Sequence, residues 1–245
     1  MPDQERRAHA ITDRESRLQK AAKIIRMLGE SRFSEARDLL EVGCGSGIIS
    51  NALSDAGQGR LIVSAVDVTD NRIEKEGYSF QQVPDTRLPY PDASFDIVVS
   101  NHVIEHVGER NAQLHHLSEI KRVLRPGGLI YLAVPNKWRL VEPHYRLPLL
   151  SWLPPALGDA YVRATGRGTH YDCRPLSAQA AIELFRDAGL TARNVTVDAL
   201  RTTLSVEHPG HALTRFVNGG VPNWLLALGM PVVPTFVFLL RIEQS

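Results

Sequence analysis

Cysteine is scarce: Cys44 and Cys173 are the only two in 245 residues, too few for a disulfide scaffold or a structural zinc site. A charge excess is also missing. The 28 basic and 27 acidic residues leave a net charge of +1, so no strong field for nucleic acid or anionic lipid is evident. No basic stretch is interleaved with aromatics in the way an RNA or DNA binder would show. The start, Met1 to Arg7, has no apolar core behind it, which argues against a signal peptide and for a cytoplasmic protein. The uncharged run from Trp224 to Leu240 holds 17 residues. That is short of the roughly 20 a spanning helix needs, and Pro231 and Pro234 interrupt it, so a short helix, a turn and a buried strand are expected instead. Internal repeats, linkers and low-complexity tracts are absent as well. What remains is a chain with 43% hydrophobic residues, enough for a sizeable core.

The most informative stretch runs from Asp38 to Gly47, Asp-Leu-Leu-Glu-Val-Gly-Cys-Gly-Ser-Gly. A short apolar run ends in glycines at alternate positions, and Ile48 to Leu53 reads as a helix start. Strand, glycine loop and helix together present backbone N–H groups and a helix N-terminus to a ligand. Side chains at those glycines would block its approach to the backbone. The dinucleotide fingerprint wants a sixth-position glycine, where this chain has Ile48. Glu41, just before the loop, would face a pyrophosphate badly but suits a cationic group. A second buried strand, Leu61 to Asp67, ends in an acid 20 residues after Gly47, at the distance where a carboxylate accepts both hydroxyls of a ribose.

These residues resemble the first motifs of class I methyltransferases that use S-adenosylmethionine, whose methionine end carries an ammonium and a sulfonium. The segment Pro84 to Asp96, with Leu88-Pro89-Tyr90-Pro91-Asp92 and Ser94-Phe95-Asp96, is similar to the matching segment of ubiquinone-type, methyltransferase domain 11-like enzymes. So is Leu124-Arg125-Pro126-Gly127-Gly128. The likeness covers about residues 36 to 136. It implies that S-adenosyl-L-methionine is the cofactor and S-adenosyl-L-homocysteine the product. It implies a cofactor-binding set of Glu41, Gly43, Cys44, Gly45, Gly47, Asp67, Val68 and Asn101, with Asp85 or the neighbouring Thr86 backbone at the adenine amino group.

The remaining pattern is βαβα with parallel-type apolar strands throughout. It predicts an α/β, Rossmann-like doubly wound sheet of seven mostly parallel strands, with helices on both faces and a lid insert after the fifth strand. A leading helix spans Arg14 to Leu28, either packing on the sheet or covering the cofactor pocket. Strands are expected at Tyr78–Val83, Phe95–Ser100, Leu129–Val134, Thr191–Leu200 and Thr235–Arg241, with helices at Asn111–Val123 and Ser177–Ala188. Residues 201–223 look irregular. The reading is one domain, 1–245, with a cofactor-binding half (1–136) and two lid or substrate inserts (137–176 and 201–234).

Methyl transfer to a hydroxyl needs a base near neutral pH, a task suited to histidine. His102 is the first candidate, since ligands sit at the carboxyl ends of strands and it follows the fourth one. His144 and Tyr145 in the insert come next, then His170 and Tyr171. His102, Glu105 and His106 are spaced to share a helical face that could bind a divalent metal. The pattern lacks the acidic first ligand of the metal-dependent RNA methyltransferases it is similar to, so no metal is expected. The insert run Leu147 to Leu157 is uncharged and broken by prolines. Two outcomes are open: packing on Trp224 to Leu228 as lid core, or an exposed edge for a hydrophobic acceptor or a membrane surface. The expected acceptor is a small molecule, a glycan or a lipid-linked group, with no nucleic-acid partner. Two other classes stay in play: a non-catalytic module that binds the cofactor or its product as a regulator, and a nicotinamide-dependent oxidoreductase.

Overall fold

A computed structural model describes residues 13–207 and 209–243; the leader-region residues 1–7 lie outside these. In chain order the elements are α1 (Arg14–Leu28), α2 (Glu30–Glu35), β1 (Asp38–Val42), α3 (Ile48–Ala56), β2 (Ile62–Asp67), β3 (Ser79–Gln82), β4 (Phe95–Asn101), α4 (Arg110–Val123) and β5 (Leu124–Pro135). The insert follows, with a hairpin of β6 (Val141–Glu142) and β7 (Leu147–Pro148), then α5 (Pro155–Ala164). The chain closes with α6 (Ala178–Asp187), β8 (Leu190–Asn194), α7 (Thr196–Glu207), α8 (Ala212–Gly219), α9 (Asn223–Ala227) and β9 (Thr235–Ile242).

Seven strands form one sheet in the order β3-β2-β1-β4-β5-β9-β8. The first five are parallel, whereas β9 runs antiparallel to both β5 and β8. The sheet is thus the expected seven-stranded, mostly parallel one, with β9 as its antiparallel member. Strand alternation sends side chains to two separate cores. Leu40, Val98, Ile130, Leu132, Phe236 and Phe238 pack with Leu117 and Ile120 of α4 and Leu184 and Phe185 of α6. On the other face Leu39, Val63, Ile97, Val99 and Tyr131 pack with Ile24 of α1, Leu53 of α3 and Ala199 of α7. Each such side chain contributes about 1.5–3 kcal/mol of burial.

Two parts of the C-terminal reading are corrected. The strand expected over Thr191–Leu200 stops at Asn194, whose Oδ1 accepts the Thr196 N–H at 2.9 Å and starts α7. Val195, Ala199 and Thr202 then recur at helical spacing on the buried side. The stretch read as irregular, 201–223, is mostly helical. Arg201 of α7 gathers it by donating to the carbonyls of Val217 and Val221 and to Asn223 Oδ1. Helix α4 ends at Val123, and Arg125–Gly128 form the irregular start of β5, where the register slips between Phe95 and Ile97.

The insert starts and ends at the same place. Asn136 pairs with Leu176, and the Lys137 N–H donates to the Leu176 carbonyl at 3.0 Å. Between these ends Leu147, Leu150, Val162, Tyr171 and Cys173 form a small core of their own, with Tyr145 and Tyr161 against it. Packing on Trp224–Leu228 does not supply this core. Trp224 and Leu228 stay 68% and 69% exposed. The insert also keeps an exposed apolar edge at Leu149, Trp152 and Leu157. No helix among the described residues is long and apolar enough to cross a membrane.

Candidate functional site

The sheet order reverses direction between β1 and β4, and in open α/β sheets ligands bind at the strands' carboxyl ends at such a point. Val42 pairs with Ser100, so the glycine loop and the β4 end lie side by side. Their approach is close: a Cβ on Gly43 would stand 2.4 Å from Val103 Cγ2. Gly43 and Gly47 also take φ values of 76° and 77°, which side chains rarely adopt. At Gly47 a Cβ would strike the Tyr78 hydroxyl, itself bonded to the Glu74 carbonyl at 2.5 Å. The residues after β2 therefore fold directly against the loop.

Glu41 is buried on β1 and accepts the Ser50 hydroxyl of α3. Burial pushes its carboxyl up to about 8, with Ser50 and the charge of Arg17 pulling the other way. A buried acid this reluctant to ionise fits an incoming cation. At the β2 tip Asp67 accepts the Gly45 N–H at 2.8 Å and the Thr69 N–H at 3.3 Å. Val68 beside it is 41% exposed. Cys44 is buried within the loop, which pushes its thiol up and leaves it a small packing group. Val83 donates to the Asp67 carbonyl and so places the following turn beside the acid. In that turn Asp85 is exposed and accepts the Arg87 N–H at 2.7 Å, while the Thr86 hydroxyl lies 2.6 Å from His115 Nδ1 of α4. The two glycines let Val103 and Tyr78 close on the loop, and Glu41 and Asp67 place one buried and one half-buried acid on either side of it.

The β4 end carries a histidine–carboxylate pair. Asn101 is buried there, and His102 follows in a left-handed conformation with φ 61°, its N–H on the Ala133 carbonyl at 3.0 Å. Its Nδ1 lies 3.3 Å from Oε1 of the fully buried Glu105. Burial lowers the His102 imidazole, and Glu105 partly offsets that. The lowering favours the neutral imidazole, the form able to take a proton. Burial alone would raise the Glu105 carboxyl, but its contacts with His102 and His106 outweigh that and hold it down. Helix α1 packs on the sheet, the first of its two expected roles. Ala21, Ile24 and Leu28 pack on the sheet, while the charges of Arg17 and Lys20 act on Glu41 and His102.

His144 is brought close to the same loop. Its ring stands 5.3 Å from that of His106, nearly perpendicular, and its Nδ1 is 2.8 Å from Glu142 Oε1. The Tyr145 hydroxyl is engaged within the insert, donating to Asp172 Oδ1 at 2.9 Å and the His170 carbonyl at 3.0 Å; burial and Asp172 raise it. His170 is exposed, and Tyr171 is buried in the insert core. Sequence reading passed over Glu142 and Cys173. Glu142 is buried, and its other oxygen accepts the Tyr145 N–H at 2.8 Å. An acid two residues before a histidine in an apolar insert was the available signal.

Residues 40–132 match the family described as "Methyltransferase domain". The chain carries a class I S-adenosylmethionine-dependent methyltransferase domain. A relative from Mycolicibacterium smegmatis, described as a probable S-adenosylmethionine-dependent methyltransferase, is 38% identical over 104 residues, covering 41% of this chain and 39% of its own. A ubiquinone biosynthesis O-methyltransferase from Ruegeria pomeroyi is 26% identical over 179 residues, 69% of this chain and 66% of its own. The chain thus spans less than two thirds of the length of either relative. Among solved structures, the 1,6-didemethyltoxoflavin-N1-methyltransferase of Burkholderia thailandensis superposes with a TM-score of 0.55 at 18% identity, over 95% of this chain and 80% of that one. At that identity the likeness concerns the fold.

Proposed function

We propose that this protein is an S-adenosylmethionine-dependent methyltransferase acting on an oxygen of a small-molecule, glycan or lipid-linked acceptor. The observation that carries the reading is the His102–Glu105 pair at the β4 end, next to the glycine loop. When bound, S-adenosylmethionine supplies an activated methyl group on a sulfonium. Glu41 faces the cationic methionine end, Asp67 the ribose, and Asp85 or the Thr86 backbone the adenine. Gly43, Cys44, Gly45 and Gly47 give backbone access, with Val68 and Asn101 lining the two strand ends. His102 Nε2 takes the acceptor's hydroxyl proton, and Glu105 holds the ring through Nδ1 and stabilises the imidazolium. Positioning supplies much of the remaining rate.

His144 and Tyr145 belong to the same site in this reading, as the insert residues nearest the acceptor. Segments 137–176 and 201–234 cover it, and the exposed edge at Leu149, Trp152 and Leu157 receives a hydrophobic acceptor or meets a membrane surface. Oxygen as the acceptor atom is supported by the histidine–carboxylate pair and by the name of the Ruegeria relative. The location expected is the cytoplasm.

The test is a methyl-transfer screen with methyl-labelled S-adenosylmethionine over hydroxylated quinones, glycans and lipids, plus cell extract. Label should enter an acceptor with wild-type protein and drop sharply with His102→Ala. Tight binding of S-adenosylhomocysteine with no transfer to any fraction would make the protein a binding module instead.

A further inference from the structure

The trio suggested by spacing, His102, Glu105 and His106, is not the set of side chains that converges. The fold brings His106 to two insert residues instead. One ligand atom each from His106, His144 and Cys173 lies within 4.8 Å of the others. Cys173 Sγ is 3.7 Å from His106 Nδ1 and 3.8 Å from His144 Nδ1. A tetrahedral zinc ion, with bonds of about 2.3 Å to sulfur and about 2.0–2.1 Å to nitrogen, sets those atoms about 3.6 Å apart. We propose that His106, His144 and Cys173 bind one zinc-type divalent cation, which fastens the insert to the loop after β4.

Two buried carboxylates stand beside the histidines. Glu142 Oε1 is 2.8 Å from His144 Nδ1, and Glu105 Oε1 is 4.0 Å from His106 Nε2. Both acids have side chains no more than 2% exposed. Neither Glu105 oxygen has a hydrogen bond among the described residues, although its charge contacts are short. Glu105 faces His106 from the nitrogen opposite the thiol, the side from which a carboxylate orients a metal-bound imidazole, whereas Glu142 lies at His144 Nδ1, the nitrogen facing Cys173, and adds negative charge beside that ligand atom. The nearby Arg174 guanidinium does not neutralise these two acids. It reaches Glu109 and the Tyr171 and Cys173 carbonyls. A cation between the histidines and the thiol offsets this buried negative charge.

Ligand chemistry selects the ion. Two imidazoles and a thiolate suit zinc, or cobalt in its place, over magnesium or calcium, which prefer oxygen. Coordination converts the Cys173 thiol to thiolate, with its proton released to solvent. Three protein ligands leave a fourth position for water. Entry comes from the histidine side, where 26% of the His106 and 19% of the His144 side chain is exposed, while Cys173 is buried in the insert core. The link would join residue 106 to both arms of the insert, next to the Arg174 N–H bond to the Glu105 carbonyl at 2.7 Å. Scarce cysteine, which argued against a zinc site, does not bear on a site in which histidines supply two of three ligands.

This inference does not rest on the methyl-transfer reading, and it is tested without cofactor or acceptor. The full chain is stripped with a chelator, dialysed, and titrated with Zn²⁺ and with Co²⁺. The expected result is one Zn²⁺ per chain, and a Co²⁺ complex with a thiolate-to-metal absorption band. Cys173→Ser should remove that band and Cys44→Ser should keep it. Glu142→Gln should lower Zn²⁺ affinity, since it removes a negative charge 2.8 Å from the His144 ligand nitrogen. Hydrogen exchange over residues 141–173 should slow when Zn²⁺ is added to wild type. A wild-type chain that takes up no stoichiometric Zn²⁺ and gives no thiolate band overturns the proposal, as does a band that persists in Cys173→Ser. Either result would leave the cluster as ordinary thiol–imidazole packing.

Discussion

Asp67 Oδ2 accepts the N–H of Gly45 at 2.8 Å, so the tip of β2 grips the middle of the glycine loop 22 residues earlier in the chain. One carboxylate therefore shapes the loop, and under the proposed function the same group meets the ribose. Asp67→Ala should weaken S-adenosylhomocysteine binding by about 10–150-fold, as charge-assisted hydrogen bonds are worth about 1.5–3 kcal/mol each. Calorimetry reads this directly, and unchanged affinity would remove Asp67 from the ribose site.

Glu41 gives a prediction in protons. Its carboxyl is raised to about 8 in the fold against an ordinary value of 4.5. Across that window the folded chain holds a proton that the unfolded chain has lost, so this group's contribution to stability falls as pH rises. Glu41→Gln should flatten that part of the stability–pH profile. A cation bound beside Glu41 favours the carboxylate, so S-adenosylhomocysteine binding near pH 7 should release a proton. Calorimetry in buffers of different ionisation heat would show the release in wild type and its loss in Glu41→Gln. No difference between buffers for wild type would mean the cationic end lies elsewhere.

His102 should separate turnover from binding. His102→Ala should lower turnover by about 10²–10⁴-fold, the usual worth of a general base, while S-adenosylhomocysteine affinity stays close to wild type. Because burial lowers its imidazole, the acid limb of the pH–rate profile should fall below the ordinary imidazole value of 6.5. An acid limb above that value, or unaltered turnover in the variant, would assign the proton to another group.

The insert has its own core, so its stability should be local. Leu150 is fully buried with Leu147, Val162 and Tyr171. Leu150→Ala should cost about 2–5 kcal/mol there. Hydrogen exchange should quicken over residues 141–173 while the amides of β1 and β4 keep their protection. Uniform quickening across the sheet would show that the insert and the sheet unfold as one.

How legible all this was in the sequence depended on whether the signal was local. Asp38–Gly47 and Asp67 state a strand, a tight loop and a strand tip in consecutive residues, and the helix over 14–28 shows its periodicity outright. Some family-like strings proved structural. Arg125 of the Arg-Pro-Gly-Gly turn pairs with Asp38 and Asp96 at 2.8 and 2.9 Å, at the amino ends of the strands, away from the site. The β8–α7 boundary was missed because Val195 and Val197 mimic strand alternation, while the deciding contact is the short Asn194 cap. The Glu142–His144–Cys173–His106 cluster was illegible for a different reason. Its members are brought together by the insert folding back to Leu176, a long-range event that no spacing rule encodes.

The central claim is that the carboxyl ends of β1 and β4 bind S-adenosylmethionine. The most direct measurement is calorimetric titration of the wild-type chain with S-adenosylhomocysteine, run beside NAD. The account predicts a Kd in the micromolar range or tighter, about −8 kcal/mol, and no heat with NAD. No binding of S-adenosylhomocysteine, or preferential binding of NAD, would contradict it.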